Sequence, residues 1–250
     1  MSEKYMVKSL VKAMRILECF STEQPYLGVS EIASMLGMQK SMVYNVLNTF
    51  KSCGYADQDP KTEKYCLGTK VLHMSYVVNH TMGLRDVVLP YLSRIADATH
   101  ETCYFAILDR LEVLYIEVAY PSGQMASRNI LGERADLYCT GLGKAMLAFL
   151  PEKDRQSVLS MPLKPYTQYT LCSAAELAQQ MEEIRQKGYA VDDMEHEFGI
   201  RCVAVPLFRA SGDVFAAVSI SGPSMRFSPD LIRHNAELIR SIIQPLQYCF

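Results

Sequence analysis

Apolar side chains recur every three or four residues along the first fifty positions, which is the spacing of helices that bury one face. The stretch VKSLVKAMRILECF, from Val7 to Phe20, predicts one amphipathic helix. The stretch GVSEIASMLGMQKSMVYNVLNTF, from Gly28 to Phe50, predicts two shorter helices that a turn at Gly37 joins. Because the apolar residues of each short helix lie on one side, we expect the two helices to share a small core.

Two short strands are predicted directly after these helices. They lie near Tyr55 to Gln58 and near Lys64 to Leu67, with a turn at Asp59-Pro60-Lys61 between them. The next stretch is compatible with a helix from about Thr69 to Asn79 and stops before Gly83, as a linker would. The pattern therefore predicts a winged helix-turn-helix domain over residues 1–68, a linker helix over 69–83 and a second domain over 84–250.

The second domain has a different pattern, in which strand-like runs occur in pairs. One pair lies near residues 102–108 and 112–119, and the other near 200–206 and 214–221. Helical stretches are predicted near 86–99 and 140–150, from Ser173 to Gly188, and from Ser228 onward. Hairpins with helices between them predict an α+β fold, in which helices cover an antiparallel sheet.

Charge and composition narrow the classes of function. The chain of 250 residues is 49% hydrophobic, which is enough for buried cores, and its net charge is −2. The charge is uneven, because residues 1–72 hold nine Lys and Arg against seven Asp and Glu. The eight cysteines form no CxxC pair, and no apolar run reaches the roughly 18 residues of a membrane span. These features predict a cytoplasmic protein with reduced thiols and no membrane anchor.

The outward face of the second helix in the turn motif is polar and almost free of acid. Asn and Gln can bind adenine with two hydrogen bonds, Lys can reach guanine or phosphate, and lysines of the wing would lie near flanking phosphates. The alternative is a helical hairpin that serves only packing or protein contact. The predicted DNA contacts are Gln39, Lys40, Ser41, Tyr44, Asn45, Lys61 and Lys64.

The stretch YCTGLGKAM does not meet the requirements of a phosphate loop. Only one residue separates Gly141 from Gly143, and Ala145 rather than Ser or Thr follows Lys144. The N–H groups of Gly141, Leu142 and Gly143 would still lie at the start of a helix, where the helix dipole favours an anion such as a carboxylate. The alternative is that the glycines only permit close packing of the helix on the sheet.

Two further groups of polar residues are candidates for chemistry. The cluster Asp192, Asp193, Glu195, His196 and Glu197 is more typical of a solvated turn than of a metal site. Neither a nucleophile motif nor a second histidine placed for a triad can be identified, so we predict no catalytic residue, no metal and no cofactor. Ser219 and Ser221 project to one sheet face, where they could bind a polar ligand or be hydrogen-bonded core residues.

Five segments of the chain resemble the IclR-type family of bacterial transcriptional regulators in sequence, in order and in spacing, and they extend over essentially the whole chain. They are SEIASMLGMQKSMVYNVLNTFKSCGY, KYCLGTKVL, GERADLYCTGLGKAMLAFLP, GYAVDDMEHEFGIRCVAVPLF and AVSISGPSMR. The resemblance implies an N-terminal winged helix, a linker helix and a GAF-like domain that binds a small, usually anionic effector. By position, it implies effector contacts from Gly141, Leu142, Asp192, Cys202, Ser219 and Ser221.

The leading hypothesis is a DNA-binding transcriptional regulator that a small carboxylate-bearing metabolite controls. A homodimer or homotetramer with two-fold symmetry would bind a palindromic double-stranded operator. The site chemistry favours a short hydroxy acid, oxo acid or sugar acid as the effector. Two alternatives are an enzyme that acts on a small acid through the region of Cys202, Asp192 and His196, and a ligand-binding module whose N-terminal helices serve only protein association.

Overall fold

The computed structural model describes residues 6–123 and 130–248. The chain forms two compact units, Met1–Met82 and Gly83–Phe250. Each unit has its own apolar core, as expected for segments that can bury enough surface independently.

The first unit is a winged helix. Its helices precede a two-stranded antiparallel hairpin, and a further helix follows the hairpin. The core comprises Ile16, Ile32, Val43, Leu47 and Tyr65, all at most 1% exposed. The elements are α1 (Lys8–Leu17), α2 (Val29–Leu36), α3 (Lys40–Ser52), β1 (Ala56–Gln58), β2 (Tyr65–Leu67) and α4 (Lys70–Met82).

Local signals fix the turn between α2 and α3. Gly37 ends α2 in the left-handed region at φ 63°, and the N–H of Met38 donates to the carbonyl of Ala33 over 2.9 Å. At the other end of α2, Glu31 Oε2 accepts a 2.6 Å hydrogen bond from the N–H of Gly28. These two ends set the angle at which the chain enters α3.

The second unit is a six-stranded antiparallel sheet with helices on both faces. The strand order is β5-β4-β3-β8-β7-β6. The strands are β3 (Thr102–Asp109), β4 (Glu112–Ala119), β5 (Arg134–Asp136), β6 (Ala190–Asp193), β7 (Ile200–Phe208) and β8 (Val214–Pro223). The helices are α5 (Leu84–Thr99), α6 (Gly141–Leu147), α7 (Glu152–Leu159), α8 (Ala174–Lys187) and α9 (Pro229–Ile243), with 3-10 turns at Ser224–Arg226 and Gln244–Tyr248.

Alternation along the strands divides the core of this unit in two. One face packs Phe105 and Val218 against α5 and α9, in a cluster that includes Leu92 and Ile239. The opposite face carries small residues such as Ala204, and it packs against α6 and α8. Small side chains on that face allow α6 to approach the sheet closely.

The α+β fold class, with a winged helix-turn-helix domain followed by a helix-covered antiparallel sheet, is confirmed. The domain boundaries at residues 68 and 83 stay predictions. The helix predicted near 140–150 is shorter than expected, since α6 ends at Leu147. Three elements were not predicted, namely β5, β6 and α7. Both strands have at most four residues and two of the residues in β6 are acidic, so their sequence pattern resembles a turn.

Candidate functional site

A cavity of about 340 Å³ lies in the second unit, between the start of α6 and the sheet. Side chains of β3, β4, β7 and β8 line it together with the end of β6. The structure brings all six predicted effector residues to this one cavity, namely Gly141, Leu142, Asp192, Cys202, Ser219 and Ser221.

Strand register places the polar residues side by side. Asp192 pairs with Cys202, Cys202 pairs with Ser221, and Ser221 pairs with Thr102, so one row of polar side chains crosses four strands. The thiol of Cys202 donates to Ser221 Oγ over 3.1 Å. Ser219 lies two residues before Ser221 on the same face of β8, as the period of a strand requires. The cavity wall is therefore a continuous hydrogen-bonding surface.

The first turn of α6 presents backbone donors to this cavity. Thr140 caps the helix, because its Oγ1 accepts a 3.0 Å hydrogen bond from the N–H of Gly143. The first bond along the helix runs from the N–H of Lys144 to the carbonyl of Thr140. The helix itself supplies no acceptor for the N–H groups of Gly141 and Leu142.

The two glycines of this turn meet different surroundings. A Cβ on Gly143 would lie 2.5 Å from the carbonyl oxygen of Leu137, so the segment just before α6 leaves no room for a side chain at Gly143. A Cβ on Gly141 would lie 3.3 Å from Cys202 Cβ and 3.7 Å from Asp192 Cβ. Gly141 is therefore the glycine that faces the sheet, since a Cβ there would also lie 3.4 Å from Ala204 Cβ, and it brings the helix start next to the polar row.

Three charged side chains are buried beside the cavity. Lys144 is 0% exposed and Glu195 is 3% exposed, and they form an ion pair through Nζ and Oε1. Glu195 Oε2 is buried and has no hydrogen-bond partner in the described part of the chain. The prediction of a solvated turn is therefore wrong for Glu195 and Asp192, although it describes Asp193 and Glu197, which are exposed.

Asp192 is 3% exposed and faces the cavity. Its Oδ1 accepts from the N–H groups of Glu195 at 2.8 Å and His196 at 3.4 Å, while residues 6–123 and 130–248 offer no donor to Oδ2. Burial raises the pKa of Asp192 to about 7, because the charge of Lys144 only partly offsets the loss of hydration. Burial likewise raises the pKa of Glu195.

Several cavity residues were not predicted from the sequence. Arg226 donates to Glu101 through Nε at 2.7 Å and Nη2 at 2.5 Å, and both side chains line the cavity. Gly222 leaves the space that the Glu101 carboxylate occupies. Tyr104 and Tyr115 meet edge to face, with ring centroids 5.9 Å apart. Arg226 lies in the quoted segment AVSISGPSMR and could have been found there, whereas no local signal marked Glu101.

The predicted DNA contacts all lie on the surface of the first unit. The side chains at the start of α3 are exposed, and Tyr44 is 52% exposed. Lys61 is exposed at the tip of the wing, where its own N–H donates to Asp59 Oδ1. Lys64 differs from the others, because its Nζ forms a 3.0 Å ion pair with Glu31. The residues on α3 or at its N-cap are Gln39, Lys40, Ser41, Tyr44 and Asn45.

Within residues 6–123 and 130–248, no three His, Cys, Asp or Glu side chains are grouped so that they could hold a metal ion. The described helices also include none that is long and apolar enough to cross a membrane.

Two family models match the chain. The model for the bacterial transcriptional regulator IclR C-terminal domain matches residues 76–246, and the IclR helix-turn-helix domain matches residues 9–60. The HTH-type transcriptional regulator XynR of Escherichia coli (strain K12) is 31% identical over 217 residues, which cover 86% of each chain. KdgR of Dickeya chrysanthemi, also named as an HTH-type transcriptional regulator, is 33% identical over 225 residues, 90% of this chain and 73% of KdgR.

A similar fold is present in a solved structure. The crystal structure of an IclR transcriptional regulator from Alicyclobacillus acidocaldarius superimposes with a TM-score of 0.85 at 25% sequence identity. The match covers 97% of this chain and 98% of that chain. The likeness therefore extends over both units.

The raised pKa of Asp192 predicts a dependence of stability on pH. Because the folded state holds its proton more tightly than the unfolded state, the stabilising contribution is fully present below about pH 4 and is lost as pH rises through about 7. Asp192→Asn keeps the acceptor Oδ1 and removes the titration. Relative to wild type, the variant should gain on the order of 2 kcal/mol in free energy of unfolding between about pH 5 and pH 8.

Urea denaturation followed by circular dichroism at a series of pH values measures this difference. Glu195 is present in both proteins, so its titration largely cancels in the comparison. A difference between variant and wild type that stays constant across the pH range would show that Asp192 is not the titrating group.

Proposed function

The chain belongs to the IclR family of bacterial transcriptional regulators, and we propose that a small organic acid bound in the cavity controls its binding to an operator. The family resemblance predicted from the sequence is confirmed. Helix-turn-helix regulators of this kind act by binding DNA. The proposal assigns operator contacts to the first unit and effector contacts to the second.

The exposed face of α3 supports a docking in the major groove. The helix buries Val43 and Leu47 against the small core, so the side chains at its start extend outward. Asn45 and Gln39 can bind base edges with two hydrogen bonds, and Lys40 can reach guanine or phosphate. Lys61 would contact a flanking phosphate, and Lys64 would have to leave Glu31 to do the same.

Substitutions on α3 and on the wing should have different consequences for DNA binding. Asn45→Ala should cost about 1–3 kcal/mol at one operator position, because a base contact carries sequence information. Lys61→Ala should weaken binding to all sequences alike, because a phosphate contact carries no sequence information. It should also lower the slope of log affinity against log salt concentration by about one. Mobility shifts at several salt concentrations, on the protein's own upstream region and on single-base variants of it, measure both.

Ser52→Ala is a matched control, since Ser52 lies at the opposite end of α3 and its hydroxyl donates to the carbonyl of Thr49. Unchanged affinity and base preference in Asn45→Ala would contradict this docking. Loss confined to one operator variant in Lys61→Ala would contradict the phosphate role.

The convergence of the six predicted residues on one cavity is the observation that carries the effector proposal. The cavity volume of about 340 Å³ suits a small ligand. The N–H groups of Gly141 and Leu142 would bind a carboxylate, and Asp192, Ser219 and Ser221 would bind hydroxyl groups. Arg226 also lines the cavity, but Glu101 already neutralises it. Four carboxylates line the cavity, so a carboxylate of the ligand has few other favourable positions; they belong to Glu101, Glu133, Asp192 and Glu197.

Calorimetry with a panel of short hydroxy, oxo and sugar acids tests this assignment. We expect binding of at least one acid to the wild type, and an affinity loss of about tenfold or more in Asp192→Ala and in Ser219→Ala/Ser221→Ala, as for lost buried hydrogen bonds. Asp230→Ala and Ser241→Ala, both on the exposed surface of α9, are matched controls that should bind as the wild type does.

Two results would refute the assignment. One is an effector that binds all these variants with equal affinity. The other is a wild-type protein that binds only uncharged apolar compounds.

The enzyme alternative has weaker support. The relatives are named as transcriptional regulators. Burial raises the pKa of the Cys202 thiol, which keeps it protonated and a poor nucleophile. Turnover of the bound acid would still distinguish an enzyme from a regulator.

We also propose that the chain forms a homo-oligomer. One face of α1 and its N-cap carries exposed apolar side chains at helical spacing, namely Val7 at the N-cap and Leu10, Val11 and Met14 in the helix. Contiguous exposed apolar surface of this kind is typical of protein contacts. A second copy of the chain would cover it, and two-fold symmetry would then require a palindromic operator.

Leu10→Glu/Met14→Glu should therefore lower the molecular mass measured by light scattering, because two charges would enter the apolar contact. Ser9→Glu, on another face of the same helix, should leave the mass unchanged. A wild-type monomer, or a double variant with wild-type mass, would exclude this face as the contact.

A further inference from the structure

We propose that the cavity binds its organic acid together with one proton, which the carboxyl group of Asp192 takes up from solvent. The inference rests on the proposed function, because it requires a ligand carboxylate at the start of α6. It adds a property that neither the fold nor the family assignment supplies, which is that pH and the acid act on the site jointly.

The geometry brings the ligand charge next to Asp192. A Cβ on Gly141 would lie 3.7 Å from Asp192 Cβ, so a carboxylate held by the N–H groups of Gly141 and Leu142 would be close to the Asp192 side chain. Oδ1 is occupied by two backbone donors, whereas Oδ2 accepts from no group among the described residues. Two adjacent carboxylates cannot both remain charged at low cost, and sharing a proton between them removes the repulsion.

The buried ammonium group of Lys144 does not cancel the repulsion between the ligand carboxylate and Asp192. Lys144 already forms an ion pair with Glu195, so the cluster of Lys144, Glu195 and Asp192 carries one excess negative charge when all three groups are ionised. The ligand carboxylate would add a second. Repulsion between unit charges about 4 Å apart corresponds to an affinity loss of roughly a thousandfold near a protein surface.

Protonation of Asp192 costs far less than this repulsion. Because its pKa is about 7, the carboxyl group is about half protonated at neutral pH, and completing the protonation lowers affinity only about twofold. The added proton would sit on Oδ2, and the resulting O–H would donate a hydrogen bond to an oxygen of the ligand. The proton leaves hydronium or the buffer acid, whose bond to it breaks as this O–H forms, and no other covalent bond changes.

The other titratable groups around Asp192 are less suited to take up the proton. Burial raises the pKa values of Tyr115 on β4, Cys139 before α6 and Cys202 on β7, so these groups are already protonated at neutral pH. The remaining groups are Lys144, Glu195, His196 and Glu197, together with Glu133 and the pair of Glu101 and Arg226, which also line the cavity. Lys144 and Glu195 are engaged with each other, and Glu197 is exposed. The ring of His196 contacts that of Tyr166 at a tilt of 41°, with centroids 5.2 Å apart, and His196 is the alternative proton acceptor that the experiment must distinguish from Asp192.

Titration calorimetry of the full chain in two buffers of different ionisation enthalpy, such as PIPES and Tris, counts the protons taken up. The probes are lactate, pyruvate and gluconate, with lactamide as the uncharged match to lactate. At about pH 7.5 the wild type should take up between about one half and one proton per bound acid, as linkage to a pKa of about 7 requires. Lactamide should bind without proton uptake, if it binds. Affinity for the acid should fall about tenfold per pH unit above about pH 7 and level off below about pH 6.

Variants assign the proton. Asp192→Asn imitates the protonated carboxyl group, so it should bind the acid with little dependence on pH and without proton uptake, whereas His196→Gln should keep the uptake. Circular dichroism verifies that both variants fold. The two-buffer measurement of proton uptake by the wild type needs neither variant.

The outcomes separate this inference from the proposed function. An acid that binds the wild type with equal affinity at about pH 6 and pH 8.5, and without proton uptake, overturns the inference and leaves the proposed effector class intact. If no acid binds at any pH, both fail. Uptake that persists in Asp192→Asn and disappears in His196→Gln overturns the assignment to Asp192.

Discussion

The close approach of α6 to the sheet is the contact on which the rest of the second unit depends. A Cβ on Gly141 would lie 3.3 Å from Cys202 Cβ and 3.4 Å from Ala204 Cβ, so the missing side chain of Gly141 and the small side chain of Ala204 let the helix approach the sheet. This approach buries the whole of α6, including Lys144. A buried ammonium group requires a partner, and Glu195 supplies it from the loop after β6. One packing constraint therefore determines where the helix donors, the buried ion pair and Asp192 lie.

A buried ion pair is weak evidence for stability, because loss of hydration offsets most of the attraction between its charges. Lys144 and Glu195 leave Glu195 Oε2 without a hydrogen bond among the described residues, and Asp192 keeps a raised pKa beside them. Carboxyl groups with a perturbed pKa in a cavity are typical of functional sites, because burying them lowers the free energy of unfolding, whereas an exposed carboxyl group of ordinary pKa would not. The arrangement fits a site selected for binding rather than for stability.

The first unit combines a small apolar core with exposed polar side chains. Its core of a few apolar residues fixes α3 and the wing, and the polar ends of side chains such as Asn45 stay in solvent. One ion pair also connects the wing with α2. Glu31 accepts from the N–H of Gly28 and also pairs with Lys64, the residue just before β2, which ties the wing to the start of α2. An exposed pair of this kind contributes little stability, but it reduces the net positive charge of the wing.

Local patterns in the sequence determined most helices, the turn at Gly37, the wing and the shared face of Ser219 and Ser221, because helical and strand periods depend on near neighbours. They also marked the glycines before Lys144, although they left open whether packing or binding required them. Only the tertiary structure decided that Asp192 and Glu195 are buried. Lys144 and Glu195 lie 51 residues apart in the chain, and Glu101 and Arg226 lie 125 apart. Burial and pairing over such separations depend on strand register and on the position of α6, which local periodicity does not encode.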